Sequence, residues 1–145
     1  MTAKRISRKE FFHLINELTF NPVDEREAFE FGFQNCCDSL RKAVHWEARY
    51  IVFEEDGVIH AVGIVQRDGF LTYYTTDKAR RDMRPLFYSL RGFVNETVRC
   101  CGGLRVEVAR FHKEAVRLLK LLGFRILTRG TKSDIYALEE DGRKD

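Results

Sequence analysis

The sequence has no apolar run approaching the length that crosses a bilayer, so no helical membrane span is expected. Its first residues, MTAKRISRKEFF, lack the apolar core of a secretion signal, and the expected compartment is the cytoplasm. Cysteine is sparse and badly spaced for metal: Cys36 and Cys37 are neighbours, as are Cys100 and Cys101, whereas zinc ligands usually leave two to four residues between them. The four read as small apolar filler on helices in a reducing compartment. Cys100 and Cys101 fall at a helix end, where the dipole raises a thiol pKa, which argues against a reactive pair. Charge of one sign is also missing. Lys plus Arg number 25 against 22 Asp plus Glu, a net +3 that suits an acidic cofactor without pointing to nucleic acid. There is no Ser-His-Asp set, Walker loop, internal repeat or low-complexity tract.

What remains is the length of one domain, placed at residues 1–138, with a charged tail over 139–145 read as disordered. Thr2 to Ile6 reads as a short edge strand. Ser7-Arg-Lys-Glu10 has the form of a capping box, and the helix after it carries Phe11, Leu14, Ile15 and Leu18 on one face. Asn21-Pro22 breaks that helix. From Asp24 to about Trp46 the chain again reads helical, with Phe29, Phe33, Cys36, Cys37, Leu40 and Val44 at helical spacing and Gly32 as a possible divide. Strands are expected at Tyr50 to Phe53, Val58 to Gln66 and Phe70 to Thr75. Asp56-Gly57 and Asp68-Gly69 between them are strong hairpin signals, because glycine accepts the positive φ of the turn. Asp82 can cap a long helix with Pro85 in its first turn, and Gly102-Gly103 ends it. The strand Leu104-Arg-Val-Glu-Val-Ala109 follows, then the amphipathic stretch His112 to Phe124 (HKEAVRLLKLLGF). Strands at Phe124 to Thr128 and Asp134 to Leu138 close the chain. The order gives an α/β (α+β) fold, an antiparallel meander followed by strand-helix-strand-helix-strand-strand around a mixed central sheet, helices on both faces.

This order, with Ala115, Leu118, Gly123 and Phe124 spaced as in Asn-x-x-Ala-x-x-Leu-Tyr-x-x-x-Gly-Phe, resembles the GNAT family of acetyl-CoA-dependent N-acetyltransferases. The resemblance implies two neighbouring parallel strands that splay apart, a long helix presenting its N-terminus to the cofactor's pyrophosphate, acetyl-CoA as cofactor and an amine as acceptor. It also implies a backbone N–H within Thr72 to Thr75 that meets the thioester carbonyl, so Thr72, Tyr73 and Thr75 are expected at the cofactor. Three departures stand out. His112 takes the place of the usual Asn, and Leu119 that of the Tyr that protonates the leaving thiolate; Leu has no proton to give. The loop Thr76-Asp-Lys-Ala-Arg-Arg-Asp-Met-Arg84-Pro85 has none of the family's glycines. There Lys78, Arg80, Arg81 and Arg84 are expected to hold the pyrophosphate by charge, the plainer reading being four solvated residues around a helix start. A looser likeness, through Tyr74-Thr-Thr-Asp77 and Leu118-Leu-Lys-Leu-Leu-Gly123, is to GNAT-like virion proteins of short-tailed bacteriophages.

Among side chains, Glu107 shares a face with Arg105, opposite Leu104, Val106 and Val108. It reads either as the base for the amine or as a half-buried Glu paired with a neighbouring strand's cation. Tyr74 or Tyr73 can supply the missing acid, or be sheet aromatics. His112 can cap its helix or contact the cofactor's thiol arm. His60, in an apolar strand, reads as structural before catalytic. Three functions compete: acetyl transfer to an amine, a catalytically inactive scaffold binding a phage or host protein, and, least supported, nucleic-acid binding through Arg80, Arg81, Arg84 and Arg91.

Overall fold

The computed structural model describes residues 1–43, 47–79 and 84–140. In chain order its elements are β1 (Thr2–Ile6), α1 (Arg8–Ile15), α2 (Pro22–Glu30), α3 (Cys36–Lys42), β2 (Arg49–Glu55), β3 (Val58–Val65) and β4 (Leu71–Thr75). They continue with α4 (Arg84–Cys101), β5 (Gly103–Ala109), α5 (Lys113–Leu121), β6 (Arg125–Arg129) and β7 (Ser133–Glu139). None of these helices is long and apolar enough to cross a membrane.

Local chemistry sets most of the boundaries. Ser7 Oγ accepts the Glu10 N–H at 3.1 Å, starting α1. Asp56-Gly57 and Asp68-Gly69 turn the meander, with both glycines at positive φ. The end of α5 is a Schellman motif. Gly123 lies at φ +96°, Phe124 N–H donates to Leu119 C=O at 2.9 Å, and Gly123 N–H to Lys120 C=O at 3.1 Å.

The same motif corrects the expected Asp24–Trp46 helix. Gly32 at φ +93° lets Phe33 N–H reach Ala28 C=O and Gly32 N–H reach Phe29 C=O, both at 3.0 Å, so α2 stops and α3 starts afresh. Asn35 caps α3 through Asp38 N–H. The inward face of α2 also differs from expectation. Phe29 is 70% exposed, and the side chains turned inward are Asp24, Glu27 and Ala28. Glu139, expected in the tail, is the last residue of β7, paired with Gly103. Val44 to Trp46, the Asp82 cap and residues 141–145 lie outside the described residues.

Two sheets form where one was expected, in the orders β1-β2-β3-β4 and β5-β7-β6, antiparallel throughout. They meet at one end of β4 and β5, where Phe70 and Arg105 form an isolated parallel bridge and Arg105 N–H donates to Gly69 C=O at 2.9 Å. A Cβ on Gly69 would stand 2.7 Å from the Gly103 carbonyl oxygen, so glycine permits this close approach. Beyond the bridge the strands part.

The junction is weak, since each hydrogen bond contributes only about 0.5–1.5 kcal/mol net. The halves are held by a shared core instead. Leu86, Leu90, Val94 and Val98 of α4 and Leu119 and Leu122 at α5 pack on Phe53, Val65 and Leu71 of one sheet and Leu104, Val106 and Val108 of the other. Each such fully buried side chain contributes about 1.5–3 kcal/mol, so the strands can stand apart without the fold opening. A second core under α1, α2 and α3 packs Phe11, Ile15, Ala28 and Leu40 on the opposite face, against Tyr50, Val62, Ile64 and Tyr74.

Candidate functional site

The gap between β4 and β5 opens into a cavity of about 980 Å³. Its walls include Tyr73 and Thr75 of β4, Glu107 of β5, Arg84 and Phe87 of α4, His112 and Ala115 at α5, and Asp24 and Glu27 of α2.

Strand alternation fixes which backbone groups face it. Gln66 N–H donates to Phe70 C=O and Thr76 N–H to His60 C=O, both at 2.9 Å, so the even-numbered residues of β4 bond to β3. The N–H groups of Tyr73 and Thr75 therefore point the other way, into the gap. Thr75 N–H is taken: it donates to Asp24 Oδ2 at 2.7 Å, and the Thr75 hydroxyl donates to the same oxygen at 2.7 Å. Tyr73 is thus the residue within Thr72 to Thr75 whose N–H faces the gap unclaimed by strand β3 or by Asp24.

The wide end of the gap is spanned by α2. The chain before it lies against the tip of β4, with Asn21 N–H on Thr75 C=O at 3.0 Å and Phe20 bridging to Thr76. Asn21 caps the helix through Val23 N–H, and Pro22 occupies the first turn, where its missing N–H costs nothing. One turn apart, Asp24 holds the β4 tip at Thr75, while Glu27 Oε2 accepts Ala109 N–H from the β5 tip at 2.9 Å. The two carboxylates are 4% and 6% exposed and satisfy the amides that the parted strands leave unpaired.

His112 completes the cluster. Its Nδ1 accepts Ala115 N–H at 3.3 Å, capping α5, and its Nε2 lies 2.6 Å from Asp24 Oδ1. With Nδ1 accepting, the neutral ring carries its proton on Nε2 and donates it to Asp24. Burial pulls the His112 pKa down, but the Asp24 hydrogen bond and the charges of Asp24, Glu27 and Glu114 outweigh it, and the net direction is up. Burial drives Glu27 the same way, against the Ala109 N–H and His112, and its carboxyl is pushed up to about 7. Asp24, Glu27 and His112 offer ligand atoms within 4.8 Å of one another. The His112–Asp24 contact and the strand-tip amides already account for that closeness.

The expected site residues divide as follows. Tyr73, Thr75, Glu107, His112 and Arg84 converge on the gap, with Thr72 and Tyr74 also on its wall. Glu107 Oε2 accepts the Ser133 hydroxyl at 2.6 Å, a neutral partner on β7 where a cation was the alternative expectation. Tyr74 belongs to the core under α1, α2 and α3, where its hydroxyl lies 2.7 Å from Ser39 Oγ. The Tyr73 hydroxyl is buried with no hydrogen-bond partner among the described residues, and burial raises its pKa, so it keeps its proton. His60 is buried in β3 away from the gap, neither ring nitrogen having a hydrogen-bond partner among the described residues. Burial also raises the Cys36 thiol, which fits the filler reading. Arg80 and Arg81 lie outside the described residues. Arg91 stacks its guanidinium over the rings of Phe87 and Tyr88, at 5.8 and 5.2 Å.

Sequence reasoning missed Asp24 and Glu27. The available signal was their i, i+3 spacing just after an Asn-Pro helix start. Periodicity read apolar side chains as the inward ones and passed over it.

No family model matches the chain, and no curated protein matches it in sequence. Solved structures match it in fold. The GNAT domain of S. lividans PAT aligns with a TM-score of 0.72 at 10% identity, covering 94% of this chain and 89% of that one. The ribosomal-protein-S18-alanine N-acetyltransferase from Escherichia coli aligns at 0.66 and 15%, covering 95% and 92%. Spermidine N-acetyltransferase from Vibrio cholerae, in complex with CoA and spermine, aligns at 0.65 and 14%, covering 99% and 98%. At these identities the likeness is one of architecture, and that architecture is the GNAT fold.

Proposed function

We propose that this chain transfers an acetyl group from acetyl-CoA to an amine, with the thioester lying across the gap between β4 and β5. The observation that carries this reading is the Tyr73 N–H, which faces the gap unclaimed by β3 or Asp24, on a residue whose buried hydroxyl has no hydrogen-bond partner among the described residues. A thioester there gives both groups something to bind. The amide N–H meets the carbonyl oxygen as negative charge develops on it, and the hydroxyl supplies the proton that the departing sulfur needs. Tyr73 thereby takes the acid role that Leu119 cannot fill, in preference to Tyr74, whose hydroxyl is engaged with Ser39. Thr72 and Thr75 shape the β4 wall. Arg84 at the start of α4, with Arg80 and Arg81 shortly before it in sequence, supplies charge for the pyrophosphate in place of glycine-lined amides. On the opposite face Glu107 receives the acceptor ammonium, one oxygen steadied by Ser133, and His112 braces the β5–α5 corner.

The test is release of free thiol from acetyl-CoA across a panel of primary amines. Thiol appearing only when both substrates are present is expected; none with any amine at millimolar acetyl-CoA would refute the reading.

A further inference from the structure

We propose that Glu27, braced by the Asp24–His112 pair, takes the proton from the acceptor ammonium. The inference rests on the acetyl-transfer reading above and gives it a proton acceptor outside the strands. Glu27 is 6% exposed and lines the gap from α2. Its Oε2 is fixed by Ala109 N–H, and among the described residues no hydrogen bond engages Oε1. The charged groups around it are Asp24 on its own helix, Glu107 on β5 and His112 at the start of α5, with Glu114 acting on His112 in turn. Asp24 already takes up His112 Nε2. A carboxylate this buried, among acids and without a cation of its own, accepts either a proton or a ligand's positive charge. An ammonium offers both, first as an ion pair and then as a proton donor.

The steps balance. The acceptor arrives as R–NH₃⁺, held by Glu107. One N–H bond breaks and its proton goes to Glu27 Oε1. The freed lone pair forms the C–N bond to the thioester carbonyl carbon. The C–S bond breaks with its electrons on sulfur, which takes the Tyr73 hydroxyl proton, and the second nitrogen proton restores the hydroxyl. Amide and thiol leave, and Glu27 returns its proton to water. The upward displacement of Glu27 to about 7 suits this task, because a base titrating near the working pH is both available and strong enough. Asp24 and His112 act as positioning residues: they pin the β4 tip and α5 to the helix that carries Glu27.

The test is the pH dependence of kcat and of kcat/KM for the full chain with an amine it acetylates, comparing wild type, Glu27→Gln, Glu27→Asp and Glu107→Gln. Gln keeps an oxygen for Ala109 N–H, so the brace survives while the base is lost. Wild-type kcat/KM is expected to rise through an inflection near 7. Glu27→Gln should lower kcat roughly 100-fold or more and abolish the inflection, with acetyl-CoA affinity within about twofold of wild type. Glu27→Asp should recover part of the rate with the inflection. Glu107→Gln should raise the amine KM and keep the inflection. An inflection that persists in Glu27→Gln, or that vanishes in Glu107→Gln instead, overturns the inference and leaves acetyl transfer standing. Loss of acetyl-CoA binding in both Glu27 variants also overturns it, marking the residue as structural. If the wild type binds acetyl-CoA but acetylates no amine, the functional reading fails and takes this inference with it.

Discussion

Tyr73 turns a backbone N–H to the gap by strand alternation and carries a hydroxyl that is buried, beside the Phe53 ring, without a hydrogen-bond partner among the described residues. A buried hydroxyl with nothing to bond costs about 1–3 kcal/mol, so the fold gains nothing by keeping it. Its retention makes sense if a ligand supplies the partner. Tyr73→Phe should therefore leave the thermal midpoint unchanged or raise it, while turnover falls roughly 100-fold through loss of the acid. Thermal melts and thiol-release rates on the same preparation check this. A marked fall in melting temperature would show that the hydroxyl serves the fold.

At the scale of elements, α2 ties the two arms of the gap together through two carboxylates, and this makes the tie sensitive to pH. Glu27 and His112 both bind a proton more tightly in the folded chain than in an unfolded one. Where the folded state holds more protons, stability falls as pH rises. For Glu27 the fall runs from its ordinary value up to about 7, and for His112 it runs upward from near the ordinary histidine range. Asp38 and Asp134 move the opposite way, drawn down by hydrogen bonds from Gln34 N–H and from Arg110 respectively, so their stabilisation is lost only in acid, below this window. Urea unfolding should give a free energy that declines by about 1–3 kcal/mol between pH 5 and pH 8. The decline should shrink in Glu27→Gln, and stability that is flat or rising over that range would contradict this.

The same elements show what could be read without coordinates. Turns and caps were legible because they depend on a few neighbouring residues. The Asp-Gly pairs, Ser7 and the Leu122-Gly123-Phe124 stop each act within one turn of chain. The inward face of α2 was not, because it is set by distant partners. Phe29 fits an apolar stripe yet faces solvent, while Asp24 and Glu27 are buried to serve amides 51 and 82 residues further along. Glu107 was placed on its strand face correctly; its partner Ser133 lies on another strand and was invisible.

For the whole molecule, the architecture separates stability from the site. A core shared through α4 and α5 holds two sheets that, among the described residues, are bridged strand to strand at Phe70 and Arg105, so the opening beyond them is built into the fold. The GNAT order was legible from element spacing. The parting of β4 and β5 was expected only through the resemblance, because no local signal says where neighbouring parallel strands stop pairing. The central claim is that the opening receives a coenzyme A thioester, and calorimetric titration of the full chain with acetyl-CoA tests it most directly. One saturable site with a dissociation constant on the order of 1–100 μM is the expected result; no heat of binding at millimolar ligand would contradict it.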